Sequence, residues 1–181
     1  MRFLILIFII FCSAANSKNL DQKNRLNELF DQLKKVNNSK TAELLEKKIW
    51  SLWNEHPNDK KLTEKLELGT ELMEYGNYHY ALKIFNNVLY NDPNWSEAWN
   101  KRATLFFLMS HYEKSLNDIE KVLNIESRHF GALSGQARIF IKLQEYEKAI
   151  TSLKKALKFY PSFKSADLIP EIDRLIKEES I

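Results

Sequence analysis

One cysteine, four glycines and four prolines are all that this chain of 181 residues carries of each. The single thiol, Cys12, lies in an apolar stretch close to the N-terminus. If that stretch is removed, no thiol, no disulfide and no cysteine-based metal site remain, a composition suited to an oxidising compartment. So few glycines and prolines, with no low-complexity run, exclude a disordered linker domain. Charge of one sign is not concentrated either: 27 Lys and Arg face 24 Asp and Glu, interspersed, for a net +3. A nucleic-acid or anionic-membrane binder gathers its positive charge into a patch or run, so both classes are set aside.

What is present begins with an address. Arg2 supplies a positive start, and Phe3 to Phe11 reads FLILIFIIF without interruption. Small residues follow, Ser13-Ala14-Ala15-Asn16-Ser17, as signal peptidase requires. Residues 1–17 are therefore expected to be a signal peptide cleaved after Ala15 or Ser17, with export to a periplasm. A membrane span needs roughly 17–25 apolar residues, so no membrane insertion is expected after cleavage. The alternative is a chain tethered by an uncleaved signal.

The rest is organised by repetition. Tyr78, Tyr112 and Tyr146 stand 34 residues apart, as do Ala81, Ser115 and Ala149. Phe85, Ile119 and Leu153 follow in the same register, then Val88, Val122 and Ala156. Gly69, Ala103 and Ala137 coincide upstream, and Pro93 and Pro161 close the first and third copies. Trp99, Ala103, Phe106 and Met109 recur at helical spacing; Tyr112, Leu116, Ile119, Val122 and Leu123 repeat the pattern. Ser110 and His111 alone separate the two stripes, so the helices turn back as an antiparallel hairpin. No long run alternates apolar with polar residues. The expected fold is all-α.

These positions resemble the tetratricopeptide repeat (TPR) family, over about residues 62–163. Gly69, Ala103 and Ala137 hold its small residue where helix A meets helix B, and the three tyrosines open helix B. The resemblance implies a right-handed α-solenoid of antiparallel helix pairs with three full units, 62–95, 96–129 and 130–163. Residues 18–61 read as a degenerate N-terminal pair, with Leu26, Leu29, Phe30, Leu33 and Val36 on one stripe. Leu44, Leu45, Ile49, Leu52 and Trp53 form the other stripe of that pair. Residues 164–181 read as a capping helix that turns Leu168, Ile172, Leu175 and Ile176 inward, with Pro170 starting or kinking it. The strings from Glu97 to Thr104 and from Arg128 to Gly135 are similar to those of exported proteobacterial TPR proteins, which implies an envelope location.

Chemistry is hard to find. His56, His79, His111 and His129 are dispersed near helix ends with no zinc spacing, and read as solvated loop residues. Ser134 lies in Gly131-Ala-Leu-Ser-Gly135, but the spacing is not that of a nucleophile elbow. No enzyme and no cofactor are expected. The two glycines suggest close packing against the preceding helix, opposite Trp99 or Phe107, or the approach of a ligand.

The family likeness places the second, fifth, sixth and ninth residues of helix A towards a groove and the adjacent helix A. In the second unit these are Glu97, Asn100, Lys101 and Thr104; in the third, Gly131, Ser134, Gly135 and Arg138. The candidate binding residues are Asn100, Lys101, Thr104, Phe107, Ser134, Arg138 and Lys142, a mixture of donors and apolar surface suited to a peptide bearing an acidic group. The carboxylate clamp of some chaperone-binding relatives is not carried over, because Leu66, Thr70, Lys101, Gly131 and Gly135 stand in its places. The expected role is a protein-interaction module with a protein or peptide partner. The rival is a structural subunit of a cell-envelope complex, docking through its convex face or an end helix.

Overall fold

A computed structural model describes residues 2–179, with side chains over 17–178. The side chains of the expected signal peptide, but for Ser17, lie outside those described. Nine α-helices follow one another among the described residues, with no strand. They are α1 (Arg2–Leu33), α2 (Ser39–Asn54), α3 (Lys60–Glu74), α4 (Tyr78–Asn91), α5 (Ser96–Leu108), α6 (Tyr112–Ile125), α7 (Phe130–Lys142), α8 (Tyr146–Leu157) and α9 (Ile169–Glu179). A 3₁₀ turn, Lys164–Leu168, precedes α9, and Pro170 sits in the first turn of α9, where its missing N–H costs nothing. Two compact units divide the chain, Met1–Glu64 and Lys65–Ile181.

In the first unit α1 packs along α2. Asn38 caps α2 by accepting the Thr41 N–H at 3.1 Å. Gln22 Nε2 donates to the carbonyls of Leu52 and Glu55, both at 2.7 Å, and so closes the C-terminal end of α2. Leu26, Phe30, Leu33, Leu45, Ile49, Leu52 and Trp53 are buried. Leu44 is not: it is 60% exposed, and Ala42 takes the buried place. Residues 42, 45, 49, 52 and 53 make a stripe at helical spacing, and 44 falls off its edge.

In the second unit α4 packs on α5, α5 on α6, α6 on α7, α7 on α8 and α8 on α9, while α5 also meets α7. One core cluster joins Ala103, Ile119, Val122, Ala132 and Ile139; another joins Ala137, Tyr146, Ala149, Leu153 and Ile172. Leu168, Leu175 and Ile176 close the second cluster from the C-terminal side. The small residue of each copy has a visible reason. A Cβ at Gly69 would lie 2.5 Å from the Phe85 ring, while Ala103 and Ala137 are buried.

Each hairpin turns by the same device. Gly76, Ser110 and Gln144, one per copy, adopt φ of 76°, 59° and 61°. The next residue's N–H reaches back five residues: Asn77 to Leu72, His111 to Phe106, Glu145 to Phe140, each at 2.8 Å. Gly76, Ser110 and Gln144 themselves donate to Met73, Phe107 and Ile141. Paired bonds around a left-handed residue satisfy the last carbonyls of a helix as a Schellman motif does. Only the first copy spends a glycine on it.

Candidate functional site

α5 and α7 lie side by side, and their sequence-selected residues divide by what they touch. Arg138 and Lys142, one turn apart on α7, are exposed and make no ion pair among the described residues. Thr104 is exposed too, but its hydroxyl donates back to the Asn100 carbonyl at 3.0 Å. Phe107 is half-buried, packed against the Ile119 and Val122 cluster with its ring 5.8 Å from Tyr112. Ser134 is buried.

Asn100 and Lys101 are engaged elsewhere. Glu97, fully buried one turn earlier on α5, accepts from the Asn100 amide at 3.2 and 3.3 Å. Lys101 Nζ lies 3.3 Å from its Oε1. From the start of α7, His129 Nε2 meets Oε2 at 2.9 Å, and this imidazole is fully buried as well. Its other nitrogen, Nδ1, accepts the Ala132 N–H at 3.1 Å and so caps α7. Burial by itself pushes the Glu97 carboxyl up. The His129 imidazole, the Lys101 ammonium and the Asn100 amide outweigh it and hold the group below its ordinary value, as an anion.

His129 is thus no solvated loop residue. Its backbone does lie between helices, as a cap must, but its side chain points inward to Glu97. The signal was in the period: one repeat on from Glu97 is Gly131, and His129 stands two residues before it. The glycine reading also changes. A Cβ at Gly135 would meet only the Ile119 Cδ1, at 3.8 Å, and neither Trp99 nor Phe107. That is ordinary contact, so tight packing does not demand glycine at 135.

Two polar residues one repeat apart on α5 and α7, Arg102 and Gln136, are paired in register. Arg102 holds Asp118 with two bonds of 2.8 Å and reaches Asn86 at 2.7 Å. One repeat later, the Ser152 hydroxyl donates to Gln136 at 2.9 Å. No group of three His, Cys, Asp or Glu that could hold a metal occurs among the described residues, and none of their helices is long and apolar enough to cross a membrane.

Comparison with known proteins agrees with the hairpin geometry. The tetratricopeptide repeat family matches residues 131–163. A TPR repeat-containing protein of Rhizobium etli is 39% identical over 113 residues, which cover 62% of this chain and 55% of the relative. The chain therefore spans about half the length of that relative. Among solved structures, the first TPR of Spaghetti (RPAP3), bound to the HSP90 peptide SRMEEVD, superposes with a TM-score of 0.61 at 18% identity, over 65% of this chain and 94% of that one. The Sgt2 TPR domain from Aspergillus fumigatus gives 0.63 at 16%, over 67% and 83%. The TPR2B domain of yeast Sti1 in its pHsp70 complex gives 0.57 at 20%, over 67% and 98%. At such identities the likeness is one of fold. With its 34-residue register, its repeated hairpin turns and its small residues at the crossing of each helix pair, the chain is similar to the tetratricopeptide repeat family and shares its fold.

Proposed function

We propose that this chain is an exported protein-interaction module that holds a peptide or partner protein along the α5–α7 face. The carrying observation is that face's exposed set: Thr104, Arg138 and Lys142 are open to solvent beside half-buried Phe107 and Ile141. Donors flanking apolar surface suit an extended segment with an acidic group. TPR neighbours solved with HSP90 and HSP70 peptides support such use of the fold. Because Lys101 is drawn to Glu97, Arg138 and Lys142 supply the charge that meets the partner. Periplasmic localisation rests on the apolar run and small residues of 1–17, and the domain limits rest on the repeat register.

In vivo photocrosslinking from positions 104 and 138 tests the reading, with the adduct identified by mass spectrometry. One partner captured from both positions, and lost in Arg138→Ala/Lys142→Ala at unchanged melting temperature, is the expected result. Equal capture by that variant and the parent would remove the α5–α7 face from the function.

A second reading has its own observation. Tyr80 and Tyr90 on α4 are 62% and 88% exposed, where the other two copies carry Lys114 and Lys148, and Asn124 and Lys158. Large aromatics held out on a helix B favour docking of a larger assembly there. Capture that survives the α7 variant and fails in Tyr80→Ser/Tyr90→Ser would select it.

A further inference from the structure

The two nitrogens of His129 do different work, and that fixes where its proton is. Nδ1 accepts the Ala132 N–H at 3.1 Å, so it carries a lone pair and no hydrogen. The proton is therefore on Nε2, which donates to Glu97 Oε2 at 2.9 Å. In this neutral form one imidazole closes the first turn of α7 and ties it to α5.

A second proton can enter only at Nδ1. There it would face the Ala132 N–H, two donors at hydrogen-bond distance, and the cap is lost. The contact with Glu97 is kept and becomes a full ion pair in a site closed to solvent. We propose that His129 is a proton-operated helix cap: neutral, it closes α7 and holds Glu97; charged, it keeps Glu97 and releases the first turn of α7.

The surrounding charges favour this response over a simple loss of structure. On α5, Glu97 is the counter-ion already in place, itself balanced by Lys101 and held by Asn100. On α6 the buried carboxylate, Asp118, is taken by Arg102. In the connection before α7, Arg128 and Glu126 pair with each other at 2.7 Å. Beyond α8, the buried Tyr160 lies edge-on to Phe130, with ring centroids 5.5 Å apart. The released segment carries Phe130, Ala132 and Leu133, all buried, so uncapping α7 loosens the junction of the second and third repeats. The device operates whether or not a partner occupies the α5–α7 face.

The test is nuclear magnetic resonance on the isotope-labelled protein, followed from pH 8 to pH 4. Imidazole nitrogen shifts report the tautomer and the uptake of the proton, and amide exchange reports protection at Ala132 and Leu133. The expected result is the Nε2–H tautomer at high pH, with at least tenfold loss of Ala132 protection over the interval in which His129 titrates. His129→Asn supplies a cap that takes no proton, and its α7 protection should be flat over that interval. In Glu97→Gln the loss of protection should still follow the imidazole nitrogen shifts, wherever they fall. An Nδ1–H tautomer at high pH would overturn the proposal. So would a completed His129 titration that leaves Ala132 as protected as before, a reading that needs the parent protein alone.

Discussion

Arg102 and Asp118 meet through two parallel hydrogen bonds of 2.8 Å, at the two positions that Gln136 and Ser152 occupy one repeat later. In the first copy those positions hold Leu68 and Ile84. The register thus places an apolar couple, an ion pair and a neutral polar couple at equivalent positions of the three copies. Breaking the ion pair from one side leaves a buried carboxylate, which costs roughly 3 kcal/mol. Arg102→Ala should therefore lower the urea midpoint strongly. Arg102→Leu with Asp118→Ile, the couple of copy one, should recover most or all of the loss. If the double variant is no more stable than the single one, the slots are not equivalent.

The hairpin turns yield a prediction of opposite sign. Ser110 and Gln144 adopt a left-handed backbone that costs an L-residue about 1 kcal/mol and glycine almost nothing. Ser110→Gly and Gln144→Gly should each raise stability by about 0.5–1 kcal/mol in urea unfolding, and Gly76→Ala should lower it by a similar amount. A destabilised Gln144→Gly would show that the side chain matters more than the backbone.

Two helical glycines should answer alanine in contrary ways. At Gly69 the new methyl meets the Phe85 ring at 2.5 Å and Ile84 at 3.1 Å, so overpacking should cost about 1–3 kcal/mol. At Gly135 the nearest atom is 3.8 Å away, and the gain in helix propensity should stabilise by about 0.5–1 kcal/mol. Calorimetric melting of both variants decides it. A melting point lowered by Gly135→Ala would restore the packing role for that glycine.

Glu97 sets an acid limb on stability. Its folded carboxyl is held below the ordinary 4.5, so between the two values the unfolded chain binds the extra proton. Its contribution is therefore whole above about pH 4.5 and disappears as pH falls through the lower, folded value. Unfolding free energy measured from pH 6 to pH 3 should fall more steeply in the parent than in Glu97→Gln. Parallel curves would mean that the carboxylate gains nothing from His129, Lys101 and Asn100.

The helix pairs were legible because the period is printed in the apolar residues: Tyr78, Tyr112 and Tyr146 each begin a helix, α4, α6 and α8. The interior polar residues were not. In a middle repeat, helix A is contacted on two sides, and α5 buries Glu97 and Asn100 along with Ala98, Ala103 and Leu105. Residues that look like an open polar face in a single helix are enclosed by the neighbour it stacks on. Asn100 and Lys101 were read as groove donors, and the structure adds a partner that the pattern does not disclose, the buried Glu97 carboxylate that engages both. Arg138 and Lys142 were legible as exposed donors, and no carboxylate pairs with either among the described residues.

The third arm of the Arg102 guanidinium, its 2.7 Å bond to Asn86, bears on how the stack comes apart. In a linear array, cooperativity is set by the interface free energy between neighbours, and a weak interface lets one unit open alone. Arg102 stands on α5 and binds α4 on one side and α6 on the other, so a single side chain belongs to both terms. Opening α4 from α5 removes one of the bonds that orient the guanidinium on Asp118, so the α4–α5 and α5–α6 contacts are coupled through this side chain. No such bridge is needed at the next junction, where the Glu97–His129 contact performs the coupling and leaves it adjustable.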